Sequence, residues 1–95
     1  MSRDLHNPEM DQLCDAFLLL EDRDEVYRFL EDLCTVKELQ AMSQRLEVAG
    51  LLQDEVTYQE IAERTGASTA TISRVNRALT YGDEGYHMIL ERLEK

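Results

Sequence analysis

The 95-residue chain has no Trp, two Phe, one Pro, four Gly and two Cys. So little Pro and Gly excludes collagen-like repeats, proline-rich linkers and flexible low-complexity tracts. Cys14 and Cys34 have no C-x-x-C spacing, so no disulfide framework of a secreted scaffold is present. Each reads as a small buried apolar residue rather than a redox or metal centre. No apolar run approaches the ~20 residues that cross a bilayer, and MSRDLHNP lacks the apolar centre of a signal peptide. A cytoplasmic location is the expectation. Enzyme signatures are missing too. His6 and His87 have no Cys, Asp or Glu at ligand spacing, so no metal site is expected. Ser43, Ser68 and Ser73 lack a G-x-S-x-G context, and no glycine-rich phosphate loop occurs. Asp22 and Asp24 fall in a charge run and read as solvated.

Positive charge is scarce as well. Ten Lys and Arg face twenty Asp and Glu, for a net charge of −10. A general nucleic-acid glue is thereby excluded, because phosphate repels carboxylate. What remains is a short, leucine-rich, all-α composition. The length suits a single domain over residues 1–95. A chain this small buries roughly 60–65% of its unfolded surface, so a lone monomer is marginal.

The chain is organised around residues 57–79, TYQEIAERTGASTATISRVNRAL. Thr57 and Glu60 form a T-x-x-E capping box that opens a helix over Tyr58–Thr65. Gly66 stands where a helix end favours positive φ. Ser68 caps a second helix over Thr69–Leu79. Ala62 is small where two steeply crossing helices need room. This is the pattern of a helix-turn-helix whose second helix enters the DNA major groove. In that helix Ile72, Val75 and Leu79 share one face. Ala70, Ser73, Arg74 and Arg77 share the opposite one. The outward face is small, hydroxylated and basic, and it carries no carboxylate. Small residues let a backbone approach base edges; Arg donates bidentately to guanine, Ser and Thr reach either kind of base, and an Ala methyl meets a thymine methyl.

The charge distribution agrees. Residues 1–34 carry −7, residues 35–56 carry −2 and residues 80–95 carry −2, whereas residues 57–79 hold three Arg against two Glu, a net +1. The proposed reader is the one segment that is not negative. So weak a footprint predicts low non-specific affinity and a modest salt dependence.

Around this head the pattern predicts four further helices. Asn7 caps a helix with Pro8 in its first turn, and Met10, Leu13, Cys14, Phe17 and Leu18 form its apolar face to about Leu20. Asp22 or Asp24 caps a second helix to about Cys34, with Val26, Phe29, Leu30 and Leu33 on one side. Thr35 and Glu38 make another capping box for a third helix to Leu52 or Gln53, striped by Leu39, Met42, Leu46 and Ala49. Gln53–Val56 reads as a polar link. After the turn TYGDEG, a last helix over Asp83–Leu93 carries Tyr86, Ile89, Leu90 and Leu93. The apolar faces of the first three helices are too wide for one small layer to cover, which predicts a homodimer. A two-fold protein also places two reading helices about 34–36 Å apart, one turn of DNA.

The runs AMSQRLEVAGLL (41–52), EIAERTGASTATISR (60–74) and YGDEGYHMILERL (81–93) resemble the Trp repressor family, and within it the YerC/YecD-type proteins more closely. The resemblance covers roughly two-thirds of the chain, from Thr35 to about Leu93. It implies an intertwined, all-helical homodimer with about six helices that acts as a sequence-specific transcriptional regulator, a repressor in its best-known form. Thr69, Ala70, Ser73 and Arg74 then fall at DNA-contacting positions. Ser68 is added as a hydroxyl at a helix N-terminus, and Arg77 from helical geometry. The family's effector pocket falls on Thr35, Arg45, Arg74, Val75 and Ala78, where two arginines hold L-tryptophan. Val75 replaces a glycine that makes room for the indole ring, and Ala78 replaces a serine that meets the amino group. Both departures argue against L-tryptophan and leave a different small-molecule effector, or none. Arg45 reads equally as an ion-pair partner of Glu38, Glu47 or Asp54. The alternative to a DNA reader is an acidic helical protein-interaction module without DNA binding, in which the −7 segment meets a basic partner.

Overall fold

The computed structural model describes residues 5–94. These residues form six α-helices: α1 (Pro8–Leu18), α2 (Arg23–Leu33), α3 (Val36–Gln53), α4 (Tyr58–Thr65), α5 (Thr69–Tyr81) and α6 (Gly85–Glu94). The all-α architecture follows from the helical spacing of the apolar residues and from a cap at nearly every helix start. Two compact units are present, one ending at Leu39 and the other beginning at Gln40.

In the first unit, Asn7 Oδ1 accepts the Met10 N–H at 2.8 Å, with Pro8 in the first turn of α1. Of the two candidates for the cap of α2, Asp22 takes the role and accepts the Glu25 N–H at 2.9 Å. The Glu25 carboxylate reaches back to the Glu21 N–H at 2.9 Å. Phe17 and Phe29 meet edge to face, with centroids 5.4 Å apart. Helix α1 ends at Leu18, two residues short of the expected Leu20, as the Leu19 and Leu20 amides turn back to the carbonyls of Ala16 and Phe17. The Thr35–Glu38 box closes in both directions, with Glu38 N–H to Thr35 Oγ1 at 3.1 Å and Thr35 N–H to Glu38 Oε1 at 2.8 Å.

Neither α1 nor α2 contains a buried residue, and Leu18 is 81% exposed and Leu19 78%. The expected burial of the cysteines is therefore corrected: Cys14 is exposed and Cys34 half-buried. Cys14 lies on the apolar stripe of α1, and within a single chain that stripe stays in contact with water.

The second unit holds the core. Val48 and Ala49 from α3, Ile61 from α4, Ala67 from the turn, and Ile72 and Val75 from α5 are buried together. Leu51, Leu52, Val56, Ala62, Leu79, Tyr86 and Leu90 pack around them. The predicted stripe of α3 thus shifts: Ala49 is buried as expected, Val48 joins it, and Met42 and Leu46 stay exposed. At Gly50 α3 meets α6 without needing glycine, since a Cβ there would sit 3.8 Å from Leu90 Cδ2, an ordinary contact.

The supposed polar link after α3 is a tight helix stop. The Glu55 N–H donates to the Leu52 carbonyl and the Val56 N–H to the Leu51 carbonyl, both at 3.0 Å, with Glu55 left-handed at φ 63°. This is a Schellman motif with its apolar Val56–Leu51 pair beside the core. Glu84 is likewise left-handed at φ 68°, so α6 begins at Gly85 rather than at Asp83. Among the described residues no helix is long and apolar enough to cross a membrane.

Candidate nucleic-acid interface

Helices α4 and α5 start where the sequence places them, and three devices hold the turn between them. Gly66 adopts φ 75° and its N–H donates to the Ala62 carbonyl at 2.9 Å, ending α4. A Cβ at Gly66 would meet nothing within 4 Å, so glycine is favoured there by its backbone and not by space. The Thr65 hydroxyl donates to the Ile61 carbonyl at 2.7 Å and accepts the Ala67 N–H at 3.1 Å. From α3, the Gln44 amide donates to the Thr65 carbonyl at 3.2 Å, satisfying an acceptor the ended helix leaves open. Sequence reasoning missed Gln44, because a contact 21 residues away has no local signature.

The Thr57 box forms in one direction. Glu60 N–H reaches Thr57 Oγ1 at 3.2 Å, while the Glu60 carboxylate lies 3.6 Å from Arg64. At the start of α5, Ser68 Oγ accepts the Thr71 N–H at 3.1 Å and donates to Thr71 Oγ1 at 3.1 Å. Its hydroxyl is engaged in the cap. At the other end, His87 Nε2 lies 2.9 Å from the Leu79 carbonyl, a side chain of α6 capping the last turn of α5. The histidine is thus satisfied, as its place beside an apolar helix face suggests. Helix α5 also runs two residues past the expected Leu79. It stops at Gly82, where any Cβ would collide with the Ala78 carbonyl.

The buried side of α5 is Ile72 and Val75, with Leu79 half-buried. Ser68, Thr69, Ala70, Ser73, Arg74 and Arg77 are all exposed. An open groove of about 550 Å³ brings Ala70, Ser73, Arg74 and Arg77 together with Tyr58, Asn76, Thr80 and Tyr81. The last four were not singled out from the sequence. Asn76, Thr80 and Tyr81 continue the spacing of Ser73 and Arg77 and were legible once the helix is extended. Tyr58 comes from another helix and carries no such signal. Neither Arg74 nor Arg77 makes an ion pair among the described residues. Both guanidiniums are therefore free to donate outward.

Two residues of the supposed effector pocket share a surface. Arg74 and Ala78 line a groove beside Arg77, Tyr81 and Gly82. Val75 is 1% exposed and sealed in the core. The Thr35 hydroxyl is occupied in the cap of α3. Arg45 is half-buried, and among the described residues it forms no ion pair with Glu38, Glu47 or Asp54.

Comparison with known proteins adds an independent line. The family model of the Trp repressor protein matches residues 8–94. The uncharacterised protein YerC of Bacillus subtilis (strain 168) is 52% identical over 91 residues, covering 96% of this chain and 88% of YerC. A crystal structure of a candidate Trp repressor from Staphylococcus aureus superposes with a TM-score of 0.93 at 50% identity, covering 96% of this chain and 91% of the other. A TrpR-like protein from Eubacterium eligens ATCC 27750 superposes with a TM-score of 0.94 at 53% identity, covering 98% of this chain and 96% of its counterpart.

Proposed function

Because the chain belongs to the Trp repressor family, we propose that it is a sequence-specific DNA-binding transcriptional regulator, a repressor in mode, working as a homodimer in the cytoplasm. Each subunit inserts α5 into the major groove. The observation that carries this reading is the outward face of α5. In a chain of net charge −10, that face is exposed, carries no carboxylate and holds two unpaired arginines. Thr69, Ala70, Ser73, Arg74 and Arg77 make the contacts, and Ser68 sets the start of the helix that presents them. Arg74 and Arg77 supply bidentate donors, Thr69 and Ser73 adaptable hydroxyls, and Ala70 a methyl for close approach. Homodimerisation is supported by the apolar residues of α1, its C-cap and α2 left in water, Leu18, Leu19 and Leu33 among them, which a second copy covers.

L-tryptophan is not the effector in this reading. The Val75 side chain fills the core under α5, and no small molecule is required to support that helix from below.

Selection from a random DNA pool at low salt, with no added ligand, tests the proposal. The expected result is a two-fold motif with half-sites about 10 bp apart. On that site Arg74→Ala is expected to cost ~1–3 kcal/mol and relax base choice. No enrichment, with or without pooled metabolites, would sink the DNA reading and favour an acidic protein-interaction module.

A further inference from the structure

The groove on the outward side of α5 includes two tyrosines from different helices. Tyr58 opens α4 and is 39% exposed; Tyr81 closes α5 and is 81% exposed. Both line the same groove as Arg74 and Arg77. Neither phenol hydroxyl has a hydrogen-bond partner among the described residues. The Tyr81 ring, held out in water at a helix end, is not explained by packing within the chain.

Charge supplies the second half of the argument. With two free arginines on this face of each subunit, a dimer brings about four cations to the duplex, which sets a salt slope no steeper than about −4. So few cations on a chain of net −10 leave the backbone grip to neutral donors. A phenol hydroxyl is such a donor: it bonds a phosphate oxygen and brings no counterion release.

We propose that Tyr58 and Tyr81 are phosphate-gripping residues of the DNA interface, their hydroxyls donating to backbone oxygens of the duplex while the rest of the α5 face reads the bases. The inference rests on the DNA-binding reading above. It assigns the interface a share of its affinity that does not depend on salt and a grip that does not depend on sequence.

The test uses the full chain as wild type, Tyr58→Phe, Tyr81→Phe, the double Phe variant, Tyr58→Ala, Tyr81→Ala and Arg77→Ala. Binding is measured on the selected duplex and on a scrambled duplex of equal length, from 50 to about 200 mM salt, beside a thermal melt of each protein. Phe keeps the ring and removes the donor. Each single Phe variant is expected to bind about 5-fold more weakly, by the same factor on both duplexes, with the salt slope and melting temperature unchanged. Arg77→Ala is expected to flatten the slope by about 2 for a dimer. Wild-type affinity in the double Phe variant overturns the inference while leaving the DNA reading intact. A loss confined to the selected duplex overturns it too, since that reports base contact, as does a lowered melting temperature, since that assigns the hydroxyls to the fold. Retained binding in the Phe variants together with loss in Tyr58→Ala and Tyr81→Ala assigns the rings to stacking and also overturns it. If the wild type binds neither duplex, the DNA reading itself fails.

Discussion

Glu55 and Gly66 sit in the same left-handed conformation, and they do so for different reasons. Gly66, at φ 75°, is there because a Cβ would strain the backbone. Glu55, at φ 63°, bears that strain, and the Schellman bonds with the Val56–Leu51 pair hold it in place. Glu55→Gly is therefore expected to raise the unfolding free energy by about 1 kcal/mol, since a left-handed non-glycine residue costs roughly 1–2 kcal/mol. Gly66→Ala is expected to lower it by a similar amount. Urea unfolding followed by circular dichroism measures both. A Glu55→Gly protein less stable than wild type would show that the glutamate side chain contributes more than the backbone strain removes. Gly66 was legible because its residue type announces the conformation. Glu55 was not, because tertiary packing imposes the conformation on a residue that does not favour it.

At the scale of elements, α5 is held from below by Val48, Ala49 and Ile61, and from its far end by His87. The turn that leads into it is held by Gln44. Gln44→Ala is expected to cost about 1 kcal/mol and to speed amide exchange in residues 65–68 more than in the middle of α4. Uniform exchange across both helices would mean that the turn is held by Thr65 alone. Ile72→Ala empties a fully buried site and is expected to cost about 2–5 kcal/mol, read as a lowered denaturation midpoint. The ends of α4 were legible to the residue, because Thr57 and Gly66 bracket it. The end of α5 was misjudged by two residues. Its apolar spacing stops at Leu79, but the helix runs on to Tyr81 and ends where the Gly82 backbone turns extended, in a geometry that leaves no room for a Cβ.

At the scale of the whole molecule, the core of the second unit is six buried residues, and α1, α2 and α6 contain none. So small a core leaves an isolated chain marginal. The chain is expected to sediment at about twice its 11.0 kDa mass at micromolar concentration. Changing Leu18 and Leu19 together to Lys is expected to shift the equilibrium toward the single-chain mass and lower the melting temperature. A wild-type species of single-chain mass would overturn the dimer and, with it, the spacing of about 10 bp expected between half-sites.

The sequence by itself determined the helices, their order and the outward face of α5. Those depend on caps, on glycine and on apolar spacing, which act over three or four residues. The tertiary structure decided what no short window encodes. It placed Val48 in the core in place of Met42 and Leu46, and left Cys14 in water. It tied the turn to Gln44 and brought Tyr58 beside Arg74 and Arg77. These facts depend on which face of one helix another segment covers. That is settled by the packing of distant side chains, since burial is a property of the assembled volume and not of the local pattern.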